Sequence, residues 1–192
     1  DSQNRLWVCT RGGGLNLLDR KTQKFSHFRH SPYDQTSLAS DVILSIEEDE
    51  QGVLWVGTEN GGISILDPET KTFKNYKEDG GDDTSLGNNS IYDIYRDNKD
   101  NIWVGTFSSG LYMVNIDYKQ FTHYKHNSSP YSLSNNNVLC IYEDSKDNMW
   151  VGTDGGGLNL FDREKGLFYH YKHELGSENS IAGNHILRVT ED

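Results

Sequence analysis

Two cysteines in 192 residues, Cys9 and Cys140, are too few and too far apart for a disulfide framework or a cysteine metal cluster. They read as small buried thiols in strands, and they leave the compartment open. Basic residues are also scarce, with 18 Lys and Arg against 29 Asp and Glu and a net charge of −11. Without a cationic footprint or a Lys/Arg cluster, nucleic acid is excluded as a partner, and the acidity serves solubility. No stretch approaches the roughly 20 apolar residues of a membrane-spanning helix, so this segment is expected to make no membrane contact. There is no sustained apolar period of 3.6 residues, hence no helical architecture. A nucleophile elbow is lacking, and nothing calls for a cofactor. There is no initiator Met and no signal peptide, and the chain opens inside a repeat, as a piece of a longer protein would.

What the chain does have is one phrase written four times. Its clearest marks are Leu6-Trp7-Val8-Cys9-Thr10, Leu54-Trp55-Val56-Gly57-Thr58, Ile102-Trp103-Val104-Gly105-Thr106 and Met149-Trp150-Val151-Gly152-Thr153, and they take all four tryptophans. A period of roughly 48 residues signals supersecondary units that bury a core by stacking on one another. Residues present in every copy are therefore structural, and function belongs where the copies differ.

Within a copy, runs such as Ile91-Tyr92-Asp93-Ile94-Tyr95, Leu54–Thr58, Ile63-Ser64-Ile65-Leu66 and Phe73-Lys74-Asn75-Tyr76 are strands of four to six residues separated by turn chemistry. Four short antiparallel strands, here labelled A to D from the innermost outwards, make one β-propeller blade. Turns such as Asp97–Asn101 and Asp144–Asn148 use Asx side chains to cap their own backbone and to tolerate left-handed φ. Gly13-Gly14, Gly61-Gly62 and Gly156-Gly157 supply positive φ before the third strand, and copy three departs there with Ser109-Gly110. The predicted fold is all-β, a single propeller or propeller fragment over 1–192 with repeats at about 1–48, 49–96, 97–143 and 144–192. In blade letters the chain runs BCD-ABCD-ABCD-ABCD-A, so a final A strand over His185–Thr190 is expected to complete the first blade if the ring closes. Ser45, Asp93, Cys140 and Arg188 share one position of the innermost strand and are expected to ring a channel.

The phrase Leu-Trp-Val-Gly-Thr, Gly-Gly-Leu, a strand ending in Asp, Phe-x-x-Tyr and Ser-Leu-x-x-Asn resembles the two-component regulator propeller repeat. Copy two matches at Leu54–Thr58, Gly61–Ile63, Asp67, Phe73–Tyr76 and Ser85–Asn89, and copy four at Trp150–Thr153, Gly156–Leu158, Asp162, Phe168–Tyr171 and Ser180–Asn184. Departures are Cys9 and Ser109 for Gly, Asn115 for Asp and Asp41 for Asn. The resemblance implies the periplasmic ectodomain of a membrane-anchored hybrid two-component sensor of the gut Bacteroidetes type, which senses glycans and carries kinase modules across the membrane. It implies a non-catalytic segment whose partners are an oligosaccharide and neighbouring blades or a second ectodomain copy.

Three His-x-x-His pairs, His27/His30, His123/His126 and His170/His173, look like metal ligands. Residues i and i+3 of a strand point to opposite faces, however, so a solvated rim is expected instead of a metal site. The acids Glu47/Glu48, Glu143, Asp144, Glu191 and Asp192 invite a glycosidase reading, but they recur with the repeat, and turn capping fits them better. The positions that vary are more informative. After the threonine of strand B the copies read Arg11, Glu59, Phe107 and Asp154, and leading into strand A they read Val42, Ser90, Asn137 and His185. Arg11, Glu59, Phe107, Asp154, Asn137 and His185 are the expected ligand-binding residues, near the axis at one end. Two rival readings are a structural spacer and a propeller glycan hydrolase.

Overall fold

In a computed structural model the described residues are 1–78, 85–115 and 120–192. They form fifteen strands in four antiparallel sheets, with no helix among them. The chain divides into two compact units, Asp1–Arg96 and Asp97–Asp192. In the first unit, β1 (Leu6–Cys9), β2 (Leu15–Asp19) and β3 (Lys24–Phe28) form one meander. The strands β4 (Ile43–Glu48), β5 (Leu54–Thr58), β6 (Ile63–Leu66) and β7 (Phe73–Tyr76) form a second, and β8 (Ile91–Arg96) follows. In the second unit β9 (Ile102–Thr106), β10 (Leu111–Asn115) and β11 (Gln120–Tyr124) are joined by hairpin ladders. There, too, β12 (Val138–Glu143), β13 (Met149–Thr153), β14 (Gly157–Asp162) and β15 (Leu167–Tyr171) form a complete blade. These are propeller blades, as the repeat predicts.

One contact organises every copy. The indole Nε1–H of Trp7, Trp55, Trp103 and Trp150 donates to Oδ2 of Asp1, Asp49, Asp97 and Asp144 at 2.7–2.8 Å. The other carboxylate oxygen accepts the backbone N–H groups two and four residues on, as Asp49 does from Gln51 and Val53. The turn closes through a left-handed residue at the same place each time: Asn4, Gly52, Asp100 and Asp147. A single carboxylate thus fixes the A–B turn and the indole's rotamer together.

The tryptophan face of one blade packs on the phenylalanine face of the next. In the first unit Phe28 bridges Trp7, at 5.7 Å, and Phe73, at 6.0 Å, beside a core of Leu15, Leu38, Ile43, Leu54, Val56 and Leu66. In the second unit Phe161 meets Trp103 at 5.6 Å and Tyr124 at 4.9 Å. Glycine in Val-Gly-Thr is required by space. A Cβ on Gly152 would lie 2.5 Å from Cys140 Sγ and 2.8 Å from Ile186 Cγ2, and one on Gly105 would lie 2.7 Å from Val138 Cγ1.

Several expectations are corrected. Ser45 and Cys140 do not present their side chains to a channel; each folds over the glycine facing it across its own sheet, Gly57 or Gly152. The first glycine of each Gly-Gly pair serves space, since a Cβ there would strike the threonine hydroxyl; the second carries the positive φ. Copy three keeps the same loop despite Ser109, because Thr106 Oγ1 donates to Gly110 O as Thr58 does to Gly62. The first blade has three strands. His185–Thr190 lies outside any ladder, apart from one bridge between His185 and Asp154. The tryptophans are also not equivalent. Trp55 and Trp103 are buried, whereas Trp7 and Trp150 are only partly buried, the latter beside Tyr171 at 5.7 Å. The side chain of Asn115 lies outside the described residues.

Trp103→Ala is expected to destabilise the chain by about 3–5 kcal/mol, through the lost burial and the cavity left behind. Trp150→Ala should lose distinctly less. Denaturant midpoints of the two variants check the order, and equal losses would contradict the packing difference.

Candidate functional site

The repeated polar residues are occupied by the framework. The asparagine of Ser-Leu-x-x-Asn staples the D–A loop: Glu78, His126 and His173 donate their backbone N–H to Oδ1 of Asn89, Asn136 and Asn184 at 2.6–2.7 Å. Asp41 does the same for His30 at 2.8 Å, which explains why that exchange is tolerated. The same residues accept the N–H of Gly14, Gly62, Gly110 and Gly157 on their own carbonyls. The histidines stay largely exposed, as a solvated rim predicts, and also act as staples. His30, His126 and His173 place Nδ1 on the carbonyls of Leu38, Leu133 and Ile181. His123 and His170 place Nε2 on those of Ser109 and Ser132, and His27 bonds Asn16.

The acids are latches between blades. Ser2 donates its N–H and hydroxyl to Glu48, Ser145 donates the same pair to Glu191, and the Asn98 N–H goes to Glu143 at 2.7 Å. Arg163 adds a cation: Nη2 bonds Glu143, and Nη1 lies 3.3 Å from Asp97 Oδ2. Burial raises the Glu47 carboxyl above its ordinary value, while hydrogen bonds from Ser2 outweigh desolvation and lower Glu48. Two neighbouring carboxyls pushed apart in this way are what a glycosidase uses, but adjacent strand residues face opposite sides of a sheet, and Glu48 is held by Ser2.

At the loops between strands B and C the variable residues come together within each unit. In the first, Arg11 bridges Val42, whose carbonyl accepts the Glu59 N–H at 2.9 Å, and Arg11 Nη2 lies 3.5 Å from Glu59 Oε2. Asn60, in left-handed backbone, donates its N–H to Ser90 Oγ at 3.1 Å. In the second unit the Asp154 N–H donates to Asn137 O at 2.9 Å, Asp154 bridges His185, and the His185 imidazole bonds the Asp154 carboxylate. Phe107 stands at the repeat position of Glu59 and Asp154 with 44% of its surface exposed. Asp154 is thus held between Asn137, leading into its own inner strand, and His185, leading into the next. Asn60 was not foreseen; its signal is a residue that takes positive φ in each copy, alongside Gly12, Ser108 and Gly155.

Antiparallel meanders of three or four strands, each with an Asp–Trp clasp and a variable B–C loop, are blades of a β-propeller. Three of its repeats match the model of the two component regulator propeller family, at residues 37–60, 85–108 and 132–155. Each matched stretch runs from the D–A staple through strands A and B to the B–C loop. Among solved structures the chain is similar to the extracellular domain of BT3049 from B. thetaiotaomicron, described as a hybrid two component system. The TM-score is 0.73 and the identity 29%, covering 86% of this chain and 21% of that one. It is also similar to the extracellular domain of BT4673 from the same organism, with a TM-score of 0.63 and 20% identity over all of this chain and 32% of that one. Virginiamycin B lyase from Staphylococcus aureus shares the fold at 13% identity, a TM-score of 0.63 and 93% coverage of this chain against 54% of its own. The chain therefore spans between about a fifth and a third of the two ectodomains' length. A search of curated proteins finds no match. Among the described residues no helix is long and apolar enough to cross a membrane.

The clasp titrates. Desolvation opposes ionisation of Asp144, but hydrogen bonds from Trp150, Asn148 and Lys146 together outweigh it and lower its pKa from 3.8 to about 2. A depressed carboxyl stabilises the fold above its unfolded value, and that contribution is lost as pH falls from 3.8 toward about 2. Thermal melts should therefore show stability falling across this window, and Asp144→Asn should flatten the fall. An unchanged slope would remove Asp144 from the account.

Proposed function

We propose that this chain is a ligand-sensing segment of the extracytoplasmic ectodomain of a membrane-anchored two-component regulator. It acts without catalysis and recognises an oligosaccharide at the loops carrying Arg11, Glu59, Phe107, Asn137, Asp154 and His185. The observation that carries this reading is the similarity to the BT3049 extracellular domain at 29% identity, within a chain three of whose repeats match the two component regulator propeller model. The chemistry of the rim supports it. An exposed aromatic ring offers a face for a sugar ring, and amide, carboxylate and imidazole groups offer donors and acceptors to hydroxyls. The non-catalytic reading is supported by the recurring acids, because Glu48, Glu143 and Glu191 each hold a neighbouring turn. Kinase modules belong to the remainder of such a regulator.

A spacer role is the second reading. It is favoured by the rim charges being paired with each other, Arg11 with Glu59 and His185 with Asp154.

Calorimetric titration of the chain against a panel of oligosaccharides tests the proposal. Binding should appear for a subset, and Phe107→Ala or His185→Ala should weaken it at least tenfold, about 1.4 kcal/mol, with unchanged thermal stability. No binding across the panel favours the spacer, and turnover of a labelled oligosaccharide would overturn the non-catalytic reading.

A further inference from the structure

Three consecutive asparagines, Asn135-Asn136-Asn137, stand where the other copies read Ser40-Asp41-Val42, Asn88-Asn89-Ser90 and Gly183-Asn184-His185. The middle residue of each set is the loop staple. Asn136 Oδ1 is engaged by the His126 N–H, and Asn136 O by the Gly110 N–H at 2.8 Å. Its two neighbours keep hydrogen-bonding capacity in hand. Asn135 Oδ1 accepts the Asn137 N–H at 2.8 Å, which fixes the orientation of that amide. Among the described residues neither Asn135 Nδ2 nor the Asn137 side-chain amide has a partner, although both residues are half-buried. Amides in this state hold only water, which hydroxyl groups of a ligand can replace.

Two B–C loops bracket this segment. The loop of copy three, which carries Phe107, closes on Asn136 through Gly110. The loop of copy four opens on Asn137, whose carbonyl accepts the Asp154 N–H at 2.9 Å. Gly155 follows, at φ 88°. A Cβ there would lie 3.9 Å from Asn135 Nδ2 and 3.8 Å from His185 Cε1, so the missing side chain leaves a gap between amide and imidazole. Copy two fills the equivalent position. There Asn60 takes φ 61°, and its Oδ1 accepts from Ser90 Oγ at 3.2 Å. The charge beside the gap has one sign. Asp154 Oδ1 bonds His185 Nδ1, and no Lys or Arg is paired with this carboxylate among the described residues. Asp154 Oδ2 has no partner among them and can accept from a hydroxyl. A sulfate or a uronate carboxylate at the same place meets like charge, on a chain whose net charge is −11.

We propose that Asn135, Asn137, Asp154 and the gap at Gly155 form a subsite for an uncharged sugar residue, held through its hydroxyls, and that this subsite rejects sulfated and uronate-bearing oligosaccharides. The subsite rests on the sensing role proposed above and adds the class of sugar and the residue that admits it. The amides supply donors and acceptors in pairs, the carboxylate takes hydroxyl protons, and the exposed ring of Phe107 on the neighbouring loop offers an apolar face. Gly155 sets access, because a side chain at that position would stand between Asn135 and His185.

Calorimetric titration of the chain with two sets of probes tests this. One set holds uncharged gluco-, manno-, galacto- and xylo-oligosaccharides; the other holds oligogalacturonates and chondroitin sulfate oligosaccharides. At physiological ionic strength an uncharged probe should bind at least about tenfold more tightly than every charged one. Gly155→Asn should weaken that binding at least about tenfold. Its melting temperature should be unchanged, because Asn60 shows that the loop accepts asparagine at this φ. Asn135→Asp gives a second readout without touching the loop. It keeps an acceptor for the Asn137 N–H, removes the Nδ2 donor, and should weaken the same probe by a similar factor. A charged oligosaccharide that binds as tightly as the best uncharged one overturns the subsite and leaves the sensing role standing. Uncharged binding that survives both substitutions does the same. No binding by either set removes the sensing role and the subsite with it.

Discussion

The hydrogen bond from each tryptophan indole to the aspartate six residues before it is the contact on which the remaining packing depends. The carboxylate is already engaged by two backbone N–H groups of its own turn, so the indole is aimed by a rigid acceptor. Charge-assisted bonds of this type are the strong ones. Removing the acceptor leaves an indole donor buried and unsatisfied in the tightest copies, Trp55 and Trp103. Once aimed, the ring forms a flat wall against which the next blade's phenylalanine face stacks. The depressed pKa of Asp144 is the electrostatic mark of the same clasp.

The wall works only because the strand beside it is thin. Glycine at 57, 105 and 152 lets an inner-strand side chain fold over it and lets the next inner strand approach. Cys9 is instructive as the exception. It packs against the core of the first unit, where burial raises its thiol to about 11.

Much of this was legible in the sequence, because recurrence at a fixed period separates constraint from drift. Strand positions, turns and the structural nature of the recurring acids followed from the four copies alone. Less legible was what each recurring polar residue touches. The asparagine of Ser-Leu-x-x-Asn and the second histidine of each pair bond loop backbone seven to eleven residues away in sequence, a distance no local rule spans. The inequality of Trp7 and Trp150 was hidden for another reason: identical phrases have different neighbours, and burial belongs to the neighbour as much as to the residue.

The same logic separates framework from specificity. An acid held by a hydroxyl or a turn amide wherever the repeat places it, as Glu48, Glu143 and Glu191 are, is committed to the framework. The loops between strands B and C are held through their backbones, by the Glu59 and Asp154 N–H groups on the carbonyls of Val42 and Asn137. Arginine, glutamate, phenylalanine and aspartate therefore occupy equivalent positions without disturbing the blade. A scaffold that fixes main chain at the rim and releases side chain identity there can change what it recognises while its fold stays constant, which is why Arg11, Glu59, Phe107 and Asp154, and not the repeated acids, are where recognition is sought.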